Sequence, residues 1–91
     1  MIEKTYTVNN RLGLHARPAS LFVKATSRFQ SAVKVTKSGQ EIDGKSIMGL
    51  LMLAAGPGTE LKITADGADE SQVIQALDDL FARRFDDEDH T

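Results

Sequence analysis

The chain has no cysteine. That removes a disulfide framework and any cysteine-based metal site, and it permits a reducing compartment. It has no long hydrophobic run either. The longest apolar stretch, 47–55, is interrupted by Gly49 and is too short to span a bilayer, so no membrane insertion is expected. The opening Met-Ile-Glu-Lys-Thr-Tyr lacks the basic-then-apolar order of a signal peptide. There is no excess of basic charge. Eleven Lys and Arg against thirteen Asp and Glu give a net charge of −2, which argues against a nucleic-acid partner. Only two histidines occur, His15 and His90, with no Gly-rich nucleotide loop and no spaced set of metal ligands. Neither a metal nor a cofactor is therefore expected. No repeat or linker divides the 91 residues, which suffice for one small domain with a modest core. A single-domain cytoplasmic protein fits all these absences.

What is present is a regular change of hydrophobic period. Residues 2–8 alternate, with Ile2, Lys4, Tyr6 and Val8 on one side, and read as a strand in which Lys4 is the misfit. From 18 to 29 the apolar residues Pro18, Phe22, Ala25 and Phe29 recur at helical spacing, leaving Arg17, Ser20, Lys24 and Ser27 on a polar face. Residues 32–37 alternate again. The turn Lys37-Ser38-Gly39-Gln40 then returns the chain along 40–43, a polar strand suited to a sheet edge. Ser46 is placed to cap a short helix over 47–53 that is apolar nearly all round. Gly56-Pro57-Gly58 breaks the chain before a third alternating stretch, 60–65. Asp69 and Gln72 have the spacing of a capping box. Val73, Leu77, Leu80 and Phe81 form the stripe of a last helix, with Arg83 and Arg84 suited to its C-terminal dipole. The order βαββαβα satisfies every stripe as an α+β, two-layer fold, an antiparallel sheet with helices on one face. The domain covers 1–85, followed by an acidic tail, 86–91. His90 there has no second ligand at useful spacing.

The stretch richest in chemistry is Gly13-Leu14-His15-Ala16-Arg17-Pro18-Ala19. Gly13 permits a tight or left-handed turn. Pro18 suits the first turn of a helix. His15 therefore stands at a helix N-terminus, where free N–H groups and the dipole favour an anion. A neutral imidazole is nucleophilic near neutral pH. Arg17 adds a fork of donors matched to phosphate. The stretch thus describes a histidine whose product state would be anionic and already solvated by protein, and phosphohistidine fits that description. No acid–base partner stands beside it in the sequence, so covalent capture is expected rather than turnover.

This stretch closely resembles the active-site signature of the HPr family, the phosphocarriers of the bacterial phosphoenolpyruvate-dependent sugar phosphotransferase system. Gly44-Lys45-Ser46-Ile47-Met48-Gly49 resembles that family's regulatory serine motif. The resemblance runs from residue 2 to about 85, with Ala16 and Leu51 where some relatives carry Thr and Met. It implies an open-faced sandwich with strand order 1-4-2-3 and three helices on one side. It implies that enzyme I phosphorylates His15 on the ring nitrogen nearer the backbone, that Arg17 steadies the phosphate, and that an enzyme IIA receives it. It also implies phosphorylation of Ser46 by HPr kinase/phosphorylase. Ala16, the polar face Ser20, Lys24 and Ser27, and the apolar Ile47, Met48 and Leu51 are candidate contacts for these partners. The chain is expected to act as a monomer. Two alternatives stay open: a paralogue in a nitrogen-related phosphotransfer chain, and a mainly regulatory protein acting on a transcriptional regulator through Ser46.

Overall fold

Where apolar and polar residues alternate, the chain pairs into a sheet, and where they recur every three or four positions, it coils onto that sheet. Residues 1–86 are described by the structure, a computed structural model. The elements are β1 (Ile2–Thr7), α1 (Ala16–Ser27), β2 (Ala32–Lys37), β3 (Gln40–Asp43), α2 (Ile47–Leu53), β4 (Glu60–Asp66) and α3 (Glu70–Ala82). A short 3-10 turn, Arg84–Asp86, follows. The sheet is antiparallel, in order β1-β4-β2-β3. Tyr6 lies opposite Leu61, and Ile63 faces Lys4 on one side and Val35 on the other. The inward positions Val33, Val35, Leu61, Ile63 and Ala65 meet Phe22, Leu50, Leu53, Val73 and Leu77 from the helices. The opposite face carries Lys34, Lys62 and Glu3 and stays exposed. Full burial of a side chain such as Phe22 contributes roughly 2–3 kcal/mol. Among the described residues no helix is long and apolar enough to cross a membrane.

The misfit in β1 has a partner. Lys4 Nζ donates to Asp78 Oδ1 at 2.7 Å, and Tyr6 Oη donates to the same oxygen at 2.8 Å. The strand is thereby pinned to α3. Burial, and then Asp78, push the Tyr6 hydroxyl above its ordinary pKa.

Several local expectations are revised. Helix α1 begins at Ala16 with His15 as its N-cap and Pro18 in its first turn, as the sequence indicates. It ends at Ser27, however, so Phe29 lies beyond it. The place in the core that periodicity gave to Ala25 and Phe29, both only half-buried, goes to Ala19 and Thr26. Thr26 is fully buried, and its hydroxyl donates to the Gly44 carbonyl at 2.9 Å. In the β2–β3 turn both Ser38 and Gly39 have positive φ, 48° and 85°, the two-residue hairpin geometry whose twist matches the strands. Asp69 precedes α3 but makes no capping box. Its carboxylate turns away to accept from the Ser31 hydroxyl and from the N–H groups of Gln30 and Ser31. These bonds, the Ser31 hydroxyl first, hold it below the usual carboxylate range. Arg83 stands at the C-cap, and its guanidinium serves the carboxylates of Asp79 and Asp86 rather than the helix dipole.

After α3 the backbone turns through three left-handed residues, Arg84, Phe85 and Asp86, with φ of 53°, 56° and 55°. That conformation is costly for residues with a Cβ. It returns the Phe85 ring to the core, edge-on to Phe81 at 4.9 Å, and Phe81 in turn stacks on Tyr6 at 4.6 Å. Asp86 is exposed, while the rest of the acidic tail, with His90, lies outside the described residues.

Candidate functional site

The approach to His15 is fixed by a close contact. Gly13 has φ +74°, and a Cβ on it would come within 2.7 Å of the Gly56 Cα and closer still to the Ala55 carbonyl. That space is needed because the Leu14 N–H donates to the Ala55 carbonyl at 2.8 Å, lashing the loop to the segment leaving α2. Within the loop, Asn10 Nδ2 and the His15 N–H both donate to the Gly13 carbonyl, at 2.6 and 3.0 Å.

His15 is the N-cap of α1, in an extended conformation, and its side chain caps nothing. Its carbonyl accepts from the Ala19 N–H at 3.0 Å, and Pro18 has no N–H to offer. Helix geometry therefore leaves the N–H groups of Ala16 and Arg17, the two residues that follow His15, without an intrahelical acceptor. Of the two ring nitrogens, Nε2 is buried and carries no hydrogen bond, which leaves Nδ1 as the one open to a reactant. The arrangement offers a nucleophilic lone pair next to donors suited to an anion.

Ala16 and Arg17, the first two residues of α1 after His15, are exposed. Arg17 Nη1 donates to the Asp86 carbonyl at 3.3 Å. Its guanidinium thus rests on the segment after α3 rather than on the imidazole. Further along α1, Ser20 is half-buried, while Lys24 and Ser27 are exposed. Lys24 faces α3 across a shallow groove that it lines with Arg28, Asp79 and Arg83.

Ser46 caps α2, its hydroxyl oxygen accepting from the Gly49 N–H at 3.0 Å. The His15 loop is tied instead to the far end of that helix, so roughly 10 Å of helix separates the two sites. Ile47 and Met48 are 41% and 67% exposed, whereas Leu51 is half-buried. Besides the terminal Met1, two further apolar side chains stand in the open that the sequence reading did not name, Met52 at 65% and Leu12 at 64%. Met52 was legible as the residue one turn after Met48, and Leu12 as an apolar residue in a turn. Asn10, 1% exposed, was also missed, since an asparagine beside a turn reads as surface. Among the described residues no three His, Asp or Glu side chains cluster as metal ligands.

Residues 2–83 match the family model described as the PTS HPr component phosphorylation site. The chain belongs to the HPr family. Its similarity to the phosphocarrier protein HPr of Xylella fastidiosa (strain Temecula1) is 44% identity over 88 residues, covering 97% of this chain and 99% of that one. Among solved structures, the crystal structure of HPr-C-His from Thermoanaerobacter tengcongensis matches with a TM-score of 0.92 at 43% identity, over 97% of this chain and 99% of the other. A second structure from that organism, described as an HPr dimer, matches with a TM-score of 0.75 at 44% identity, over 93% and 98%. The strand order 1-4-2-3 with three helices is thus the HPr architecture, and membership makes this chain a phosphotransferase-system phosphocarrier rather than a conventional enzyme.

Proposed function

We propose that His15 accepts a phosphoryl group on Nδ1 from phospho-enzyme I, itself charged by phosphoenolpyruvate, and passes it to a histidine of an enzyme IIA. The supporting observation is the place of His15 at the N-cap of α1, its side chain capping nothing, with Nε2 buried so that Nδ1 is left to meet a reactant. A phosphoryl group in transfer spreads charge over three equatorial oxygens, so donors that are already in place do most of the work. The N–H groups of Ala16 and Arg17 are such donors. Arg17 adds its guanidinium, because a long, exposed bond to a neutral carbonyl is readily exchanged for one to a dianion. The chain is then a stoichiometric carrier, a substrate of its two partners. It works as a monomer in the cytoplasm, where phosphoenolpyruvate is made. The carrier unit is 1–85, with 86–91 appended, a division supported by the buried Phe85 and the exposed Asp86.

Ser46 is the regulatory site in this reading, phosphorylated by HPr kinase/phosphorylase. A phosphate there adds up to two negative charges beside Ile47 and Met48, which with Ala16, Ser20, Lys24, Ser27 and Leu51 form the partner surface. Incubation with phosphoenolpyruvate and enzyme I tests the central claim. One acid-labile phosphate is expected on His15, and none on a folded His15→Ala protein. Label that persists in that variant removes His15 from the mechanism.

A further inference from the structure

Among the described residues, two buried side-chain polar atoms lack a hydrogen-bond partner, Asn10 Oδ1 and His15 Nε2. Such atoms are rare in folded proteins, and each asks for an explanation. Both belong to residues bound to one carbonyl, that of Gly13, through Asn10 Nδ2 at 2.6 Å and the His15 N–H at 3.0 Å. A carbonyl only accepts, so the end of the Asn10 amide facing Gly13 is its nitrogen and the free end is its oxygen. Asn10 is 1% exposed, so that oxygen cannot turn to bulk water. An amide oxygen accepts and never donates. An imidazole Nε2 donates in one neutral tautomer and accepts in the other. The two orphans match only when Nε2 carries the proton.

We propose that Asn10 is a positioning residue for His15. Its Oδ1 accepts the Nε2–H of the imidazole through one bridging water, since no direct bond joins the two atoms, and so keeps the lone pair on Nδ1. The inference rests on the reading of His15 as the phosphoryl acceptor. In that step the Nδ1 lone pair forms the new N–P bond. The bond from phosphorus to the donor's nitrogen breaks, and its electron pair stays on that nitrogen. The His15 ring releases no proton, so it becomes an imidazolium with positive charge shared onto Nε2–H. A hydrogen bond from a charged donor is stronger than one from a neutral donor, so the Asn10 contact tightens as transfer proceeds. An interaction that strengthens toward the transition state raises the rate.

The test uses the 15N-labelled chain, with no donor present, and long-range proton–nitrogen correlation of the neutral imidazole. The unsubstituted protein is expected to show a single tautomer, with Nε2 protonated and its proton slow to exchange. Asn10→Ala should give a tautomer mixture with a fast-exchanging proton, and accept phosphate from phospho-enzyme I about tenfold more slowly at saturation. Asn10→Asp keeps an acceptor and loses the donor to Gly13, so it should restore the single tautomer and most of the rate. If Asn10 only holds the loop, Asp and Ala variants are equally slow with the tautomer unchanged, and the proposal fails. An unsubstituted protein with Nδ1 protonated also overturns it, even if the Ala variant does not fold. An Asn10-dependent tautomer in a protein that takes up no phosphate supports this inference and sinks the transfer reading instead.

Discussion

The N-termini of α1 and α2 are built from the same backbone and finished in opposite ways. At α2 the Ser46 hydroxyl turns inward and accepts from Gly49 N–H, so the helix end is closed by its own cap. At α1 the cap position holds a histidine whose side chain accepts from nothing, and the first N–H groups stay open. A cap of the Ser46 kind stabilises a helix by about 1 kcal/mol. That stabilisation is forgone at α1, where the open donors are available to an anion instead. A third end, α3, takes a middle course. Its cap residue, Asp69, gives its carboxylate to the Gln30–Ser31 corner and leaves the Gly67 N–H to Glu70 Oε1. Binding capacity and local stability draw on the same few donors, and the residue at the cap decides between them.

The hardest blow to this contrast is at the turn that delivers His15. Gly13→Ala places a Cβ against the Ala55 carbonyl and Gly56 in a left-handed backbone, and is expected to cost about 3 kcal/mol or more. Urea unfolding measures it, and a loss below about 1 kcal/mol would mean the loop relaxes elsewhere. Next come two substitutions of similar size and opposite sign. Ser46→Ala should lower stability by about 1 kcal/mol, while His15→Ser, which supplies the missing cap, should raise it by about the same amount and end phosphoryl acceptance. Equal signs in the two melts would dissolve the comparison. Ser46→Asp keeps an acceptor for Gly49 and should melt near the unsubstituted protein. With enzyme I it should show a raised KM, an unchanged saturating rate, and an effect that shrinks with salt. The smallest effect belongs to α3. The Asp69 carboxyl is depressed, so its contribution is full above the ordinary carboxylate pKa and fades as pH falls through its lowered folded value. Asp69→Asn should flatten the acid side of the stability curve and leave phosphoryl acceptance alone. A parallel, unflattened curve would place the acid sensitivity elsewhere.

The helices and strands were legible, most of them because each buries one stripe of a single period, β3 from the turn before it and α2 from its Ser46 cap. The candidate nucleophile was legible for a different reason, since Gly13, His15, Arg17 and Pro18 each constrain the backbone or the charge at neighbouring positions. Strand order was not. Alternation in 2–8 says which side of β1 is buried but not that β4 is its neighbour, and the order came from family resemblance. Polar residues inside were misread for one reason. Thr26 and Asp69 look like surface or cap residues until the group that satisfies them arrives from a distant segment, as Gly44 does for Thr26 and Ser31 for Asp69. The resting place of Arg17 was hidden likewise, because the Asp86 carbonyl it meets is 69 residues away.

The aromatic chain Tyr6–Phe81–Phe85 has a bearing on how the protein is made. Tyr6 leaves the ribosome well before the rings that pack on it, since the ring that covers it belongs to Phe81, and the ring that backs Phe81 belongs to Phe85. Its strand also has to wait for β4 before it can pair. Contacts so distant in sequence carry a large loop-closure entropy and slow the search for the fold. A nascent chain halted short of Phe85 therefore holds all four strands but lacks the ring that backs Phe81. Release of the last turns of α3 and the Phe85 ring is what commits the polypeptide to its final shape.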